Sequence, residues 1–349
     1  MSHTVVRLGA VFMAAASVLP YLKSTSRWIR FFDFPRLQLL GIGCALLVAN
    51  ARWSRGRART FLTAAIAVPV ASQLHYVRRY TPLASRESLD ASKDEPHVRV
   101  LISNVWMPNR NAAGLLDLIR QHDPDIILLM EPDHWWQQQL CELNRGYPHS
   151  LQCPLENTYG MLLYSRLPIS DASVRFLLLD DVPSMVCRVH LPSGDSFRLY
   201  AVHPLPPGMT VDTTQRDAEL VLVGREVKRS GEPAIVAGDL NDVAWSGTTR
   251  LFQKVSGLLD PRAGRGFYNT FHARLPLLRW PLDHLFHSPE FRLARIERLP
   301  SYGSDHFAIL AELSFEPNGA HAQEPPKPEP EDHAEAKEKL QEAREEGLL

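Results

Sequence analysis

The chain has 349 residues, 45% of them hydrophobic, and a formal net charge of −1. That length holds one large domain plus extra segments. The near-zero charge excludes the global basic footprint of a protein that binds nucleic acid over its whole surface, though not a nuclease with a local basic rim. Cys44, Cys141, Cys153 and Cys187 lack metal-ligand spacing and form no disulfide framework; a single Cys141–Cys153 bridge is an option, and buried free thiols are the plainer reading.

The first quarter differs in kind from the rest. Thr4–Leu22 is almost wholly apolar, broken only by Arg7, and is long enough to span a bilayer. Leu37–Asn50 is shorter and needs Phe31, Phe32 and Phe34 as an interfacial extension. Thr60–Val77 is the third segment, with Pro69 inside it, which membrane helices tolerate. The alternative is a signal peptide before a helical subdomain, but two further apolar segments and the lack of a clear cleavage site count against it. The reading is a three-helix transmembrane anchor over residues 1–80, in a multi-pass protein of the cell membrane. That anchor is expected to tether the enzyme and to supply nothing to its chemistry. Arg52, Arg55, Arg57 and Arg59 form the densest cluster in a short loop, which favours a cytoplasmic second connection and an extracytoplasmic catalytic domain. Lys23, Arg27, Arg30 and Arg36 on the first connection, with Arg78 and Arg79 after the third segment, weigh the other way.

Residues 81–96 are polar and aperiodic and read as a linker. Over residues 97–316, strand-like and helical runs alternate. Val98–Ile102 reads as a strand, Ala112–Gln121 as an amphipathic helix and Asp125–Met130 as a buried strand. Tyr159–Tyr164, Met185–His190 and Phe197–Val202 are shorter strands between Pro and Gly turns. Thr213–Lys228 is a helix with Asp212 as N-cap, Pro233–Ala237 a strand, Thr248–Val255 a helix, and Leu285–His287 and Phe307–Leu313 the closing strands. Without a strict strand–helix–strand repeat, this α/β pattern suggests two packed sheets flanked by helices. Residues 317–349 are rich in acids and proline with almost no apolar face, and read as a disordered acidic tail.

Several of these strands end in polar groups that packing does not ask for. Asn104, Glu131, His203 and the pair Asp239 and Asn241 each follow an apolar run, while Asp283 and Gly303-Ser304-Asp305-His306 put two aspartates and a histidine at neighbouring strand ends. Taken singly, Asn104 reads equally as a turn residue, Glu131 before Pro132 as a helix cap, and Asp239-Leu240-Asn241 as an Asx-turn. The ordered set is more specific. It resembles the endonuclease/exonuclease/phosphatase superfamily, the DNase I-like metal-dependent hydrolases, over roughly Val98 to Phe315, and is most similar to the membrane-anchored bacterial branch.

The resemblance implies a four-layer sandwich of two packed mixed β-sheets flanked by helices, with the site where the loops of both sheets meet. It also implies a metal held near Asn104, Glu131 and Asp305, with Mg²⁺ as the ion and Mn²⁺ as the substitute. A hard cation on oxygen ligands brings water to a phosphate ester and stabilises the departing alkoxide. By the same resemblance Asp239 orients or deprotonates the water, Asn241 binds a phosphate oxygen, and Asp283 fixes the tautomer of His306. His203 matches a leaving-group acid or phosphate ligand, although Pro204-Leu205-Pro206-Pro207 departs from the usual continuation. His272, His284 and His287 have no counterpart and read as strand and loop residues.

Substrate is less legible. Arg262, Arg265, Arg274 and Arg279, interleaved with Phe267, Tyr268, Phe271 and Trp280, suit contact with a phosphate backbone and stacked bases. They equally suit a lipid headgroup, or packing on a sheet edge. The leading expectation is a monomeric membrane-anchored phosphodiesterase acting on nucleic acid. The alternatives are a hydrolase of phospholipid or phosphorylated small molecules, and a non-catalytic binding module, against which the intact set of site residues argues.

Overall fold

The computed structural model describes the chain apart from residues 1, 23, 93–95 and 209–211, so Lys23 and residues 93–95 of the expected linker lie outside the described residues. Side-chain alternation sets the layers. In β1 (His97–Asn104), Val98, Val100 and Ile102 face one core while Leu101 faces another, the period of two that a strand buried on both sides requires. β1 lies in a sheet with β2 (Ile126–Met130), β3 (His149–Cys153), β4 (Met161–Ser165), β10 (Phe291–Arg298) and β11 (Ile309–Phe315), in the order β10-β11-β1-β2-β4-β3. A second sheet runs β5 (Ile169–Phe176), β6 (Pro183–His190), β7 (Ser196–Ala201), β8 (Ala234–Asp239) and β9 (Asp283–His287) in sequence order. The β1–β2 and β7–β8 pairs are parallel and the others antiparallel, so both sheets are mixed.

The sheets pack face to face. Val100, Ile102, Leu128 and Met130 meet Met185, Phe197, Leu199 and Ala237 in a single core. Helices cover the outer faces. α5 (Ala112–His122) and α6 (His134–Gln139) bring Leu115, Ile119 and Trp136 onto the first sheet. α7 (Thr214–Ser230) and α8 (Gly247–Ser256) bring Leu220, Val223 and Phe252 onto the second. Side chains cap three of these helices: Asn111 accepts from Gly114 N, Asp133 from Trp136 N and Ser246 from Thr249 N. The result is the expected four-layer α/β sandwich.

The tail corrects the sequence reading. α9 (Pro330–Glu345) is ordered and packs on α7 and α8 through Ala336, Leu340 and Ala343, a stripe at i, i+4 and i+7. Its Lys339 reaches the fully buried Asp217 at 2.6 Å, so one long side chain supplies what the sparse apolar face does not. The expected linker is also packed rather than free. Leu89 and Ala91 exchange backbone hydrogen bonds with Leu293, and Ser88 is buried against His287 at 2.8 Å. All four cysteines are free, and only Cys187 is buried.

At the other end lie α1 (Ser2–Val18), the single turn α2 (Arg27–Arg30), α3 (Arg36–Trp53) and α4 (Gly56–Val77). Thr4–Tyr21 and Gly56–Tyr80 are long and apolar enough to cross a membrane. A third span results if Arg27–Asp33 and α3 count as one element bent by 69°. The domain-side ends of the three long helices are tied by a polar knot, Arg36 to Asp33 at 2.8 Å, Arg36 to Gln73 at 3.2 Å and Gln73 to Ser17 at 2.7 Å. Below it, Phe34, Leu37, Tyr76 and Tyr80 share one core with Trp245, Phe271 and Trp280 of the sandwich.

Candidate active site

Strand pairing brings the polar strand ends together. Asn104 is in register with Met130, just before Glu131, and Asp239 with Asp283 across β8 and β9. Asn104 Nδ2 then donates to Glu131 Oε1 at 2.8 Å and to Asp239 Oδ2 at 3.1 Å, which joins the two sheets through one amide. Two glycines permit this closeness. A Cβ on Gly238, whose φ is +145°, would lie 1.9 Å from Val202 O, so glycine is needed for β8 to lie against the chain entering His203. A Cβ on Gly160 would lie 1.9 Å from Pro132 O, and Gly160 O accepts from Glu131 N at 2.9 Å. Asn241, at φ +51°, closes a tight turn in which its N–H bonds to Asp239 Oδ1 at 2.9 Å.

Across the cleft, His306 Nδ1 meets Asp283 Oδ2 at 2.8 Å, and His306 Nε2 lies 3.6 Å from Asp239 Oδ2. Burial alone would lower the imidazole pKa, but Asp283, Asp239 and Asp305 overcome it and push it up to about 10. The ring is therefore a cation at neutral pH. The backbone around this pair is pinned. Thr270 Oγ1 accepts from the amides of Leu282 and Asp283 at 3.3 Å, and Ser304 Oγ links His306 N to Asn104 O at 3.0 and 2.8 Å.

Burial pushes the Glu131 carboxyl up to about 7 against the Asn104 hydrogen bond, with Asp239 and Asp305 adding to the rise. Burial also raises Asp305, whose Oδ1 is buried without a partner. Asp239 is lowered, because His306, His203 and two amide donors outweigh its burial. The unpartnered Asp305 Oδ1 beside the Glu131 carboxyl fits a divalent cation, whose charge would favour the ionised form of both groups. Asp239, Asp283 and His306 also offer atoms within 4.8 Å of one another. There His306 Nδ1 is already engaged by Asp283 Oδ2 at 2.8 Å, which leaves Nε2 facing Asp239 at 3.6 Å and Asp283 Oδ1 buried without a partner.

A cavity of about 610 Å³ opens over the cluster and is lined by Glu131, Asp239, Asn241, Asp305 and His306. Asn104 and Asp283 stand behind these as their partners. His203 is buried, is not among the residues lining the cavity, and has its pKa lowered by burial. His284 is bonded to Arg262 and to Asp242 O, and burial brings it down to about 3.

Of the readings open for the arginine cluster the structure bears out packing, and one expectation for the N-terminal segment fails. Arg262 is buried in an ion pair with Asp260 at 2.9 Å and Arg265 bonds to Ser88 O at 2.8 Å, so neither faces a substrate. Arg274 and Arg279 are engaged with Gly303 O and Ala273 O. The N-terminal segment, expected to serve only as an anchor, supplies Arg27, Trp28, Phe31 and Phe34 to the cavity wall. The signal was present as aromatics crowded between arginines in the first connection, but a membrane interface accounts for that composition equally well.

Residues 101–306 match the model of the endonuclease/exonuclease/phosphatase family. The chain belongs to this family. It is a metal-dependent phosphoric ester hydrolase. The uncharacterized protein YbhP of Escherichia coli (strain K12) is 28% identical over 193 residues, which covers 52% of this chain and 70% of YbhP. Among solved structures, the fold is similar to D. rerio TDP2 complexed with a single-strand DNA product, at 16% identity and TM-score 0.52, covering 63% of this chain and 100% of that chain. It is similar also to the human nocturnin catalytic domain with bound sulfate, at 18% identity and TM-score 0.53, covering 66% of this chain and 97% of that domain.

Proposed function

We propose that this family member is a membrane-anchored phosphodiesterase that hydrolyses its substrate by in-line attack of water, with Mg²⁺ as its metal. The observation that carries the reading is the convergence of Glu131, Asp239, Asn241, Asp305 and His306 on one cavity. Glu131 and Asp305 would hold the cation, with Asn104 fixing the Glu131 carboxylate. When bound, such an ion neutralises phosphate charge and stabilises the departing oxygen. Asp239, anionic and next to the cavity, orients the attacking water and takes its proton. Asn241, whose amide spends one hydrogen on Pro204 O at 3.0 Å, has another to offer a phosphate oxygen. His306 presents a cationic N–H that stays charged because Asp283 stands behind it. His203, kept neutral by burial with Nε2 3.9 Å from Asp239 Oδ2 and absent from the cavity lining, backs Asp239 rather than acting as the leaving-group acid.

The helices Thr4–Tyr21 and Gly56–Tyr80 support attachment to a membrane. The multi-pass, extracytoplasmic orientation still rests on the arginines of the second connection. A nucleic-acid substrate is supported by the fold shared with TDP2, and a phospholipid or small phosphoester by the apolar walls of the cavity.

Hydrolysis of bis(p-nitrophenyl) phosphate by the full chain in detergent tests the core of this reading. Activity should require Mg²⁺ or Mn²⁺, and Glu131→Gln should lower it by more than roughly 100-fold, beyond what loss of an outer-shell partner costs. Undiminished activity in excess EDTA would overturn it.

A further inference from the structure

The cavity has two unlike halves. Its floor is the carboxylate and imidazole cluster, whereas its walls are Trp28, Phe31 and Phe34 from the first connection and Phe271, Trp280 and Leu282 from the sandwich. The walls are locked together, since Phe34 and Trp280 pack edge to face at 5.8 Å and Trp245 Nε1 donates to Asp33 O at 2.7 Å. Phe271 and Trp280 form the stem of a hairpin, bridged through their backbones. Its tip is Leu275-Pro276-Leu277-Leu278, with Leu277 83% exposed. That tip touches α3 where Gln38 Nε2 donates to Leu277 O at 2.9 Å. Trp28, 70% exposed, and Phe31 complete an apolar rim at the level where α1, α3 and α4 reach the domain. Scattered exposed leucines need no account, but an apolar rim around a charged site does.

Cations argue in the same direction. A single strand of nucleic acid is tracked by a positively charged groove with stacking aromatics. Here Arg27 is the only arginine or lysine among the described residues lining the cavity, and it bonds to Gly208 O at 2.6 Å. Among the described residues the aromatics are present and a basic track is not.

Resting on the phosphodiesterase and anchor readings above, we propose that the substrate is an amphiphilic phosphoester of the bilayer. It is drawn sideways from the membrane so that its headgroup phosphate meets the acid cluster while its apolar part lies along Trp28, Phe31, Phe34 and Trp280. The anchor thus forms one wall of the binding site, and the leucine hairpin dips into the interface beside it. A cavity of about 610 Å³ holds one headgroup with the first part of its chain, in the usual range for a small-molecule site.

The test uses the full chain in detergent and p-nitrophenyl alkyl phosphodiesters from methyl to octyl, with the p-nitrophenyl ester of thymidine 5′-phosphate alongside. kcat/KM should rise about two- to fourfold per methylene, fourfold being what complete burial supplies, and the octyl ester should surpass the thymidine ester. Trp28→Ala combined with Phe31→Ala, both exposed and so safe for folding, should flatten that slope. Leu277→Asp should lower hydrolysis of phosphatidylglycerol vesicles relative to the methyl ester at least tenfold. A flat slope with the thymidine ester preferred would overturn the lipid assignment and leave the hydrolase intact. The same slope in wild type and double variant would remove the anchor from the wall. If no ester is cleaved with Mg²⁺ or Mn²⁺, the hydrolase reading itself falls.

Discussion

Glu219, on the buried face of α7, has Oε1 without a partner, and burial raises its carboxyl from 4.5 to about 8. The folded protein therefore holds this residue protonated at neutral pH, while the unfolded chain releases the proton above about 4.5. Its folded pKa being the higher one, the stability it permits is full below pH 4.5 and is lost as pH rises to 8, where it levels off. At about 1.36 kcal/mol per unit, the loss is about 3 kcal/mol by pH 7 and about 5 kcal/mol above pH 8. Glu219→Gln removes the titration but keeps a neutral polar group of the same size, so the readout is the slope of the difference rather than its offset. Thermal unfolding of both proteins in the same detergent, from pH 5 to pH 9, should show the variant gaining on the wild type by roughly 2–5 °C per pH unit up to pH 8. Parallel curves would refute the reasoning, since they would mean that water or an unseen partner solvates the carboxylate.

Asp283→Asn should let burial act on His306 with one less carboxylate opposing it, and its pKa should drop from about 10. An imidazole NMR titration reads the drop directly, and phosphodiesterase activity should fall by about 10²–10⁴-fold; an unchanged pKa would remove Asp283 from its assigned place. Leu340→Ala should cost about 2–3 kcal/mol, as loss of a buried leucine side chain does, seen as a lower Tm; no change would return residues 330–345 to the disordered tail suggested by their composition.

What the sequence made legible follows the physics of burial. β1, β2, β4, β6, β7, β8, β9 and β11 each carry an apolar run, because each is covered on at least one face. The strands absent from the sequence reading are β3, β5 and β10, and all three are sheet edges. Arg295, Glu297 and Arg298 are the charges that blunt β10 beyond Leu293, where residues 89–91 cease to cover the edge, and they also erase the strand signal. The site was readable because its acids interrupt apolar runs, and residues as far apart as Asn104 and His306 meet because neighbouring strands end together. The tail was misread because three small or apolar side chains make a weak stripe, and Lys339 finds its acid partner 122 positions away, at Asp217. Likewise, the fate of Arg262 depends on Asp260, two positions before it, and on His284, which only the fold brings near.

The contact between Phe34 and Trp280 has a consequence for inheritance. If the cavity belonged wholly to the sandwich, relatives could trade membrane segments freely and keep their chemistry, as tethers are commonly traded. A wall divided between residue 34 and residue 280 forbids that exchange. A chimera with a foreign first connection would keep the acid cluster and its reactivity toward simple esters, yet lose discrimination among its substrates. On the proposed reading, selectivity in this chain is written partly in a segment that looks like mere attachment, and exchange of that segment is the place to look for a change of substrate as much as the acids are.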